Sequence, residues 1–350
     1  MLNHGGKLAE AQQRYPQQRE WLDLSTGIAP WSWPVPEIPA AVWQRLPESD
    51  AALRTAAAGF YGCDAERLLP VAGSQVAIET LPGCVPGATV AVPLWGYGEH
   101  RHCWQKQGHS LVFYRNFPEL LQLLRTGAAL HAVAINPNNP AGSHWSCRQL
   151  QLCLEALAPD GLLVVDEAFA DLQHPSPALQ MEHDPRLVVL RSVGKFFGMA
   201  GLRLGFVIAT APLRDALQAR LPHWGVSHPA LWLGERMLAD SEWQRQQRQR
   251  IDPALQWLED IVRQLLPASW QGGLQSGPLF VSLFGDPCSL QEFAEACMAD
   301  GVLLRYFAPQ ENRSCVRIGL CDEAHRARLQ SVLEKHVALL QVAAKNNCCR

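Results

Sequence analysis

A chain of 350 residues with 48% apolar content has material for one large core or two compact units, so burial does not limit its stability. A formal charge of −3 gives no pull toward nucleic acid or anionic lipid, and eleven scattered cysteines form no CxxC pair and no Cys/His spacing of a zinc site. Residues 1–20 lack an apolar h-region and no run is long enough to cross a bilayer, so a protein of the reduced cytoplasm, without metal, is expected. The adjacent Cys348 and Cys349 fall in a polar tail, where a surface role or none is expected.

In chain order, residues 1–45 are rich in proline and tryptophan, as in Trp31-Ser-Trp33-Pro34-Val-Pro36, and read as an arm lying on another surface. A helical pattern begins near Ser49. To about residue 235, short apolar or β-branched runs at 89–92, 110–113, 131–135, 162–165, 187–190 and 206–209 alternate with helix-length segments. That alternation predicts an α/β layer with a mainly parallel sheet. The basic run Arg245-Gln-Gln-Arg248-Gln-Arg250 reads as a solvated helix face, too short and isolated for a nucleic-acid patch. The helical stretch from about Ser241 is expected to break at Pro253. A strand at 279–284, a helix from Ser289 to near Gly301, strands at 302–305 and 316–320 and a final helix from Asp322 then predict a small α+β unit. The expected division is an arm at 1–45, a large domain at 46–240 and a small domain at 241–350.

In open parallel sheets, ligands sit beyond the carboxyl ends of the strands, and several polar residues fall at such ends. Ser192-Val-Gly-Lys195-Phe-Phe-Gly-Met-Ala-Gly201-Leu-Arg203-Leu-Gly205 is the most informative. A lysine among apolar residues loses its proton more readily, because desolvation disfavours the ammonium, and such an amine can form a Schiff base with a carbonyl. Ser192 and Arg203 are suited to a dianionic phosphate, the arginine through its planar fork. A carbonyl-bearing cofactor with a phosphate handle fits this segment, and pyridoxal 5'-phosphate is that cofactor. Asp166, ending an apolar run, is placed either to keep a pyridine nitrogen protonated or to cap a helix. Asn139, in the rigid loop Asn136-Pro-Asn-Asn139-Pro-Ala-Gly142, can donate to the ring oxygen or simply belong to a turn. Gly73, Ser74 and Gln75 precede a helix, where free N–H groups favour an anion, or are ordinary capping residues. Tyr97 can stack on a ring or pack. Arg317, within an apolar strand, needs a partner such as a substrate carboxylate, or else snorkels to the surface.

Together these residues resemble the class I/II aminotransferase group of fold-type I pyridoxal-phosphate enzymes over nearly the whole chain. Ser-x-x-Lys with Gly-x-Arg-x-Gly carries most of the likeness; the asparagine-proline loop and Asp166-Glu-Ala-Phe169 follow in the right order. The resemblance implies that Lys195 is the cofactor lysine and proton shuttle, and Asp166 the pyridinium partner. It implies that Asn139 meets the ring oxygen and that Tyr97 stacks on the ring. Gly73, Ser74, Gln75, Ser192 and Arg203 form the phosphate cradle, and Arg317 takes the substrate carboxylate. It also implies a homodimer with a small-molecule substrate.

Within the group, three features resemble the branch that decarboxylates L-threonine O-3-phosphate to (R)-1-amino-2-propanol phosphate in cobalamin biosynthesis. They are His4-Gly5-Gly6, the arm segment Leu22-Asp-Leu-Ser-Thr-Gly-Ile-Ala-Pro30, and Phe169 where typical aminotransferases carry tyrosine. His4 is then expected at the substrate phosphate. Ala29 and Leu46 depart from the asparagine and tyrosine usual in the group, so the substrate is less firmly implied than the cofactor. An aminotransferase acting on a phosphorylated amino compound such as histidinol phosphate is the enzymatic alternative, and a non-catalytic pyridoxal-phosphate-binding module the other.

Overall fold

A computed structural model of the chain describes residues 5–173, 175–181 and 183–340; His4 and the pair Cys348 and Cys349 lie outside the described residues. The chain divides into two compact units. One comprises Ser32–Asn139 and Ser143–Gln247, the other the described parts of Met1–Trp31, Pro140–Gly142 and Arg248–Arg350.

The first unit is built on seven strands: β1 (Leu68–Val71), β2 (Thr89–Pro93), β3 (Ser110–Tyr114), β4 (His131–Ile135), β5 (Leu163–Asp166), β6 (Leu187–Ser192) and β7 (Gly205–Ile208). Their order is β1-β7-β6-β5-β4-β2-β3. β7 runs antiparallel to both neighbours and every other pairing is parallel. The mainly parallel sheet expected from the sequence is the one observed. Central strands such as Leu163-Val-Val165 and Val188-Val-Leu190 are buried at every position, as strands covered by helices on both faces must be. β1 was not expected, because Pro70 interrupts its apolar run. The proline is tolerated because β1 is an edge strand, where a missing ladder donor costs little. Two helices frame the site, α1 (Ser74–Thr80) after β1 and α2 (Gly98–Lys106) after β2.

The expected break at Pro253 is overturned. Helix α3 (Ser241–Leu265) runs unbroken through it, and the division between the two units falls inside this helix. An interior proline costs about 3 kcal/mol. Burial of Ile251, Leu258, Ile261 and Val262 along one face offsets this at roughly 1.5–3 kcal/mol each. In the basic run, Arg245 is exposed and pairs with Glu242, as a solvated face requires, whereas Gln247 is fully buried and its Nε2 donates to the Phe196 carbonyl at 2.8 Å.

The second unit holds a four-stranded antiparallel sheet of β8 (Leu274–Gly277), β9 (Phe280–Gly285), β10 (Arg305–Gln310) and β11 (Arg313–Gly319), in the order β10-β11-β9-β8. Helix α4 (Pro287–Ala299) starts behind Asp286, whose carboxylate accepts from the Ser289 N–H at 2.9 Å. The single strand expected at 302–305 is split. Val302–Leu303 pairs in parallel with Leu22–Asp23, and β10 begins separately at Arg305. No helix among the described residues is long and apolar enough to cross a membrane.

Buried His131, at the amino end of β4, should make the first unit acid-sensitive. His131 is buried against Trp104 and His109, with ring centroids 5.8 and 6.0 Å away. Burial, then His109, lowers its pKa, and the pull of the Pro86 carbonyl on a ring N–H opposes them. A histidine whose folded pKa is depressed stays neutral in the native state while the unfolded chain protonates, so stability falls as pH drops below about 6.5. The slope is at most about 1.4 kcal/mol per pH unit. Urea midpoints measured at pH 7.5 and 5.5 should differ clearly in the native chain and less in His131→Asn.

Candidate active site

The strand register gathers the predicted residues. Ser192 lies opposite Gly205, and Gly205 opposite Val71, so the ends of β6 and β1 flank the start of β7. Ile135 lies opposite Asp166, and Asp166 opposite Leu190, which sets the asparagine loop beside the carboxylate. One pocket is lined by Ser74, Gln75, Tyr97, Asn139, Asp166, Phe169, Ser192, Lys195 and Arg203, with Ile135 and Ala168 between them. All but one of the residues expected in this unit therefore share one cavity; the exception, Gly73, stands directly behind it.

At one end, Gly73 caps α1 with φ of +80°, a left-handed conformation that side chains rarely adopt. A methyl group placed on it would come within 2.6 Å of Arg203 Nη2. Only glycine keeps that corner open. Arg203 itself takes φ 52° and ψ 53°, an unusual backbone for arginine, as it turns into β7. Gln75 differs from the simple cradle reading, because its side chain accepts from the Tyr97 hydroxyl at 2.9 Å and donates to Glu79 at 2.8 Å. Its backbone N–H, not its amide side chain, is what it offers an anion.

At the other end, Asp166 is buried. Its Oδ2 is hydrogen-bonded to His100 Nε2 at 2.8 Å and its Oδ1 accepts from the Ala168 N–H at 3.0 Å. The sequence reading missed His100. It sits one helical turn after Tyr97, a spacing that places both on one face of α2, but a lone histidine in a helix carries no further signal. Burial, then the Glu99 and Asp166 carboxylates, hold the Tyr97 phenol above its usual range, so it stays protonated and donates to Gln75.

The wall between the two ends is rigid. The Asn136 side chain bonds both the carbonyl and the N–H of Trp145, at 3.0 and 2.8 Å, and Asn138 Nδ2 donates to the Trp95 carbonyl at 2.9 Å. These bonds hold the loop that presents Asn139. Lys195 Nζ lies 5.3 Å from the Phe169 ring centroid, so an apolar face meets the amine.

Arg317 lies in the other unit, on β11. It is buried, donates to the Ser25 carbonyl, and has its pKa lowered to about 10 by burial, then by Arg305. A buried guanidinium facing another cation is a strong anion acceptor.

The residues present fit pyridoxal phosphate. An arginine and a serine stand at a corner that only glycine leaves open, an aromatic and an asparagine line the walls, and a buried carboxylate closes the far end, with a primary amine among them. Comparisons with known proteins agree. The family model for aminotransferase class I and II matches residues 43–333. The threonine-phosphate decarboxylase of Pseudomonas aeruginosa is 42% identical over 95% of this chain and 97% of its own length. A second threonine-phosphate decarboxylase, from a Sinorhizobium species, is 38% identical over 67% of this chain and 71% of its own length. Among solved structures, histidinol-phosphate aminotransferase from Sinorhizobium meliloti in complex with pyridoxal-5'-phosphate shares the fold. It has a TM-score of 0.84 at 21% identity, over 97% of this chain and 96% of that one. The chain belongs to the aminotransferase class I and II family.

Proposed function

We propose that this chain is a pyridoxal-phosphate-dependent decarboxylase that converts L-threonine O-3-phosphate to (R)-1-amino-2-propanol phosphate and CO2, in cobalamin biosynthesis. One observation carries the reading. A pocket suited to pyridoxal phosphate is combined with 42% identity, over nearly the whole length of both chains, to a protein named threonine-phosphate decarboxylase. Bound pyridoxal phosphate supplies an electron sink for the bond that breaks at the substrate's α-carbon.

The protein's residues do the rest. Lys195 Nζ holds the cofactor between turnovers and, after CO2 leaves, delivers a proton to Cα. The Asp166 carboxylate, fixed by His100, keeps a proton on the ring nitrogen. Ser74, Ser192, Arg203 and the N–H groups of Gly73 and Gln75 hold the phosphate, Asn139 donates to the ring oxygen, and Tyr97 stacks on the ring. We assign Arg317 to the substrate carboxylate and His4 to the substrate phosphate. Holding both substrate anions would orient the bond to be broken, an effect worth several kcal/mol in order of magnitude. Such orientation would favour loss of the carboxylate over loss of the Cα proton.

Arg317→Ala should raise KM for the substrate by roughly 10²-fold, the usual cost of truncating a buried charged donor, with cofactor affinity unchanged. Cofactor loss as the main effect would contradict this assignment. A reduced compartment suits the buried thiols of Cys153, Cys297 and Cys315, each held protonated by burial, with pKa values pushed up to about 12. We also infer a homodimer. Val35, Trp43, Leu46 and Trp224 of the first unit expose large apolar surfaces. Sedimentation should give the mass of two chains, and Trp43→Glu should shift it toward one.

The competing activity is tested by offering histidinol phosphate and 2-oxoglutarate. Glutamate formed at a rate above that of threonine-phosphate turnover would establish the aminotransferase in its place; no glutamate is expected.

A further inference from the structure

Behind the pocket, and outside its lining, three ionisable side chains are buried together. Arg191, Glu167 and Asp171 are 2%, 0% and 2% exposed. Arg191 Nη1 donates to Glu167 Oε2 at 2.7 Å and its Nη2 donates to Asp171 Oδ1. Glu167 also accepts from Ser176 Oγ at 2.6 Å and from the Ala178 N–H at 3.0 Å. The guanidinium carbon lies 4.6 Å from the Tyr61 ring centroid. Replacing such a cluster by apolar side chains is often neutral or stabilising, so packing alone does not call for it.

Its place in the chain gives it a use. Successive residues at a strand end point to opposite sides. Asp166 and Ser192 line the pocket, and their neighbours Glu167 and Arg191 meet behind it. The Glu167 N–H donates to the Leu190 carbonyl at 2.9 Å, joining the two segments through the backbone as well. A methyl group on Gly205 would lie 2.7 Å from the Arg191 carbonyl and 2.6 Å from the Ser74 nitrogen. Gly205 is therefore wedged between the Arg191 backbone and the corner formed by Gly73 and Ser74.

We propose that Arg191, Glu167 and Asp171 form a brace that fixes the carboxylate end of the pocket relative to its phosphate end. They are positioning residues, acting through Asp166 and Ser192. The proposal rests on reading the pocket as a pyridoxal phosphate site.

The test uses full-length protein stripped of cofactor, as wild type, Glu167→Gln, Asp171→Asn, Arg191→Lys and Arg191→Met. Each is titrated with pyridoxal phosphate, following quenching of protein fluorescence and the visible circular dichroism per bound cofactor. The brace predicts that Glu167→Gln and Asp171→Asn weaken binding by about tenfold and shrink the visible band of the cofactor that does bind. Arg191→Lys, which keeps the charge but loses the fork, should lie between wild type and Arg191→Met. If the variants that fold bind with wild-type affinity and an unchanged band, however much less stable to heat, the brace is overturned. If neither Glu167→Gln nor Asp171→Asn folds, Ser176→Ala, which removes one donor to Glu167, carries the same comparison. Absence of saturable binding to wild-type protein would overturn the pocket reading itself, and the brace with it.

Discussion

Lys195→Ala should abolish turnover, by on the order of 10³-fold or more. The substitution removes the covalent hold on the cofactor together with a positioned proton donor, which alone is worth roughly 10²–10⁴-fold. Ser192 and Arg203 remain, so the variant should still bind pyridoxal phosphate, only more weakly. Borohydride treatment followed by mass spectrometry provides the check. The native chain should carry the reduced adduct on the peptide containing Lys195, and the variant should carry none. Retained turnover in Lys195→Ala would remove the basis of the assignment, because among the described residues the pocket lining includes no other lysine.

Asp166→Asn should be the next most damaging change, lowering kcat by about 10²–10³-fold. That is the usual effect of losing one preorganised electrostatic partner in a water-excluded site. The amide preserves the shape of the side chain but not the charge that keeps a proton on the ring nitrogen. His100 is bonded to Asp166 but is not itself part of the pocket lining, so His100→Asn should cost less, about tenfold. Steady-state kinetics on the two variants would check the order. A larger loss in His100→Asn than in Asp166→Asn would mean that the histidine, not the carboxylate, acts on the ring.

Much of this site was legible in the amino-acid order because its chemistry needs particular residue types at strand ends. The serine, lysine and arginine at 192, 195 and 203 must stand at one sheet corner. Asp166 ends β5, and Asn139 stands in the loop after the adjacent strand β4, whose Ile135 lies opposite Asp166. Residues whose role depends on a neighbour brought in by the fold were not legible. His100 means little until the sheet sets α2 beside Asp166. Arg191 and Glu167 read as ordinary charges beside apolar runs until their burial against each other is seen. Elements failed for similar reasons. Pro70 hides β1, which only an edge position permits, and Pro253 was read as a break although a buried face carries α3 through it. The stretch 302–305 became two elements because Val302–Leu303 pairs with Leu22–Asp23, 280 residues earlier in the chain, a distant pairing that local pattern does not reveal.

The central claim is that the bond broken at Cα is the one to the carboxylate. It is tested most directly with L-threonine O-3-phosphate carrying ¹³C at the carboxyl carbon, incubated with the holoenzyme and no added 2-oxo acid. The account predicts labelled CO2 released in step with (R)-1-amino-2-propanol phosphate. Label retained in a product that forms only when 2-oxoglutarate is supplied would contradict it and make the chain an aminotransferase.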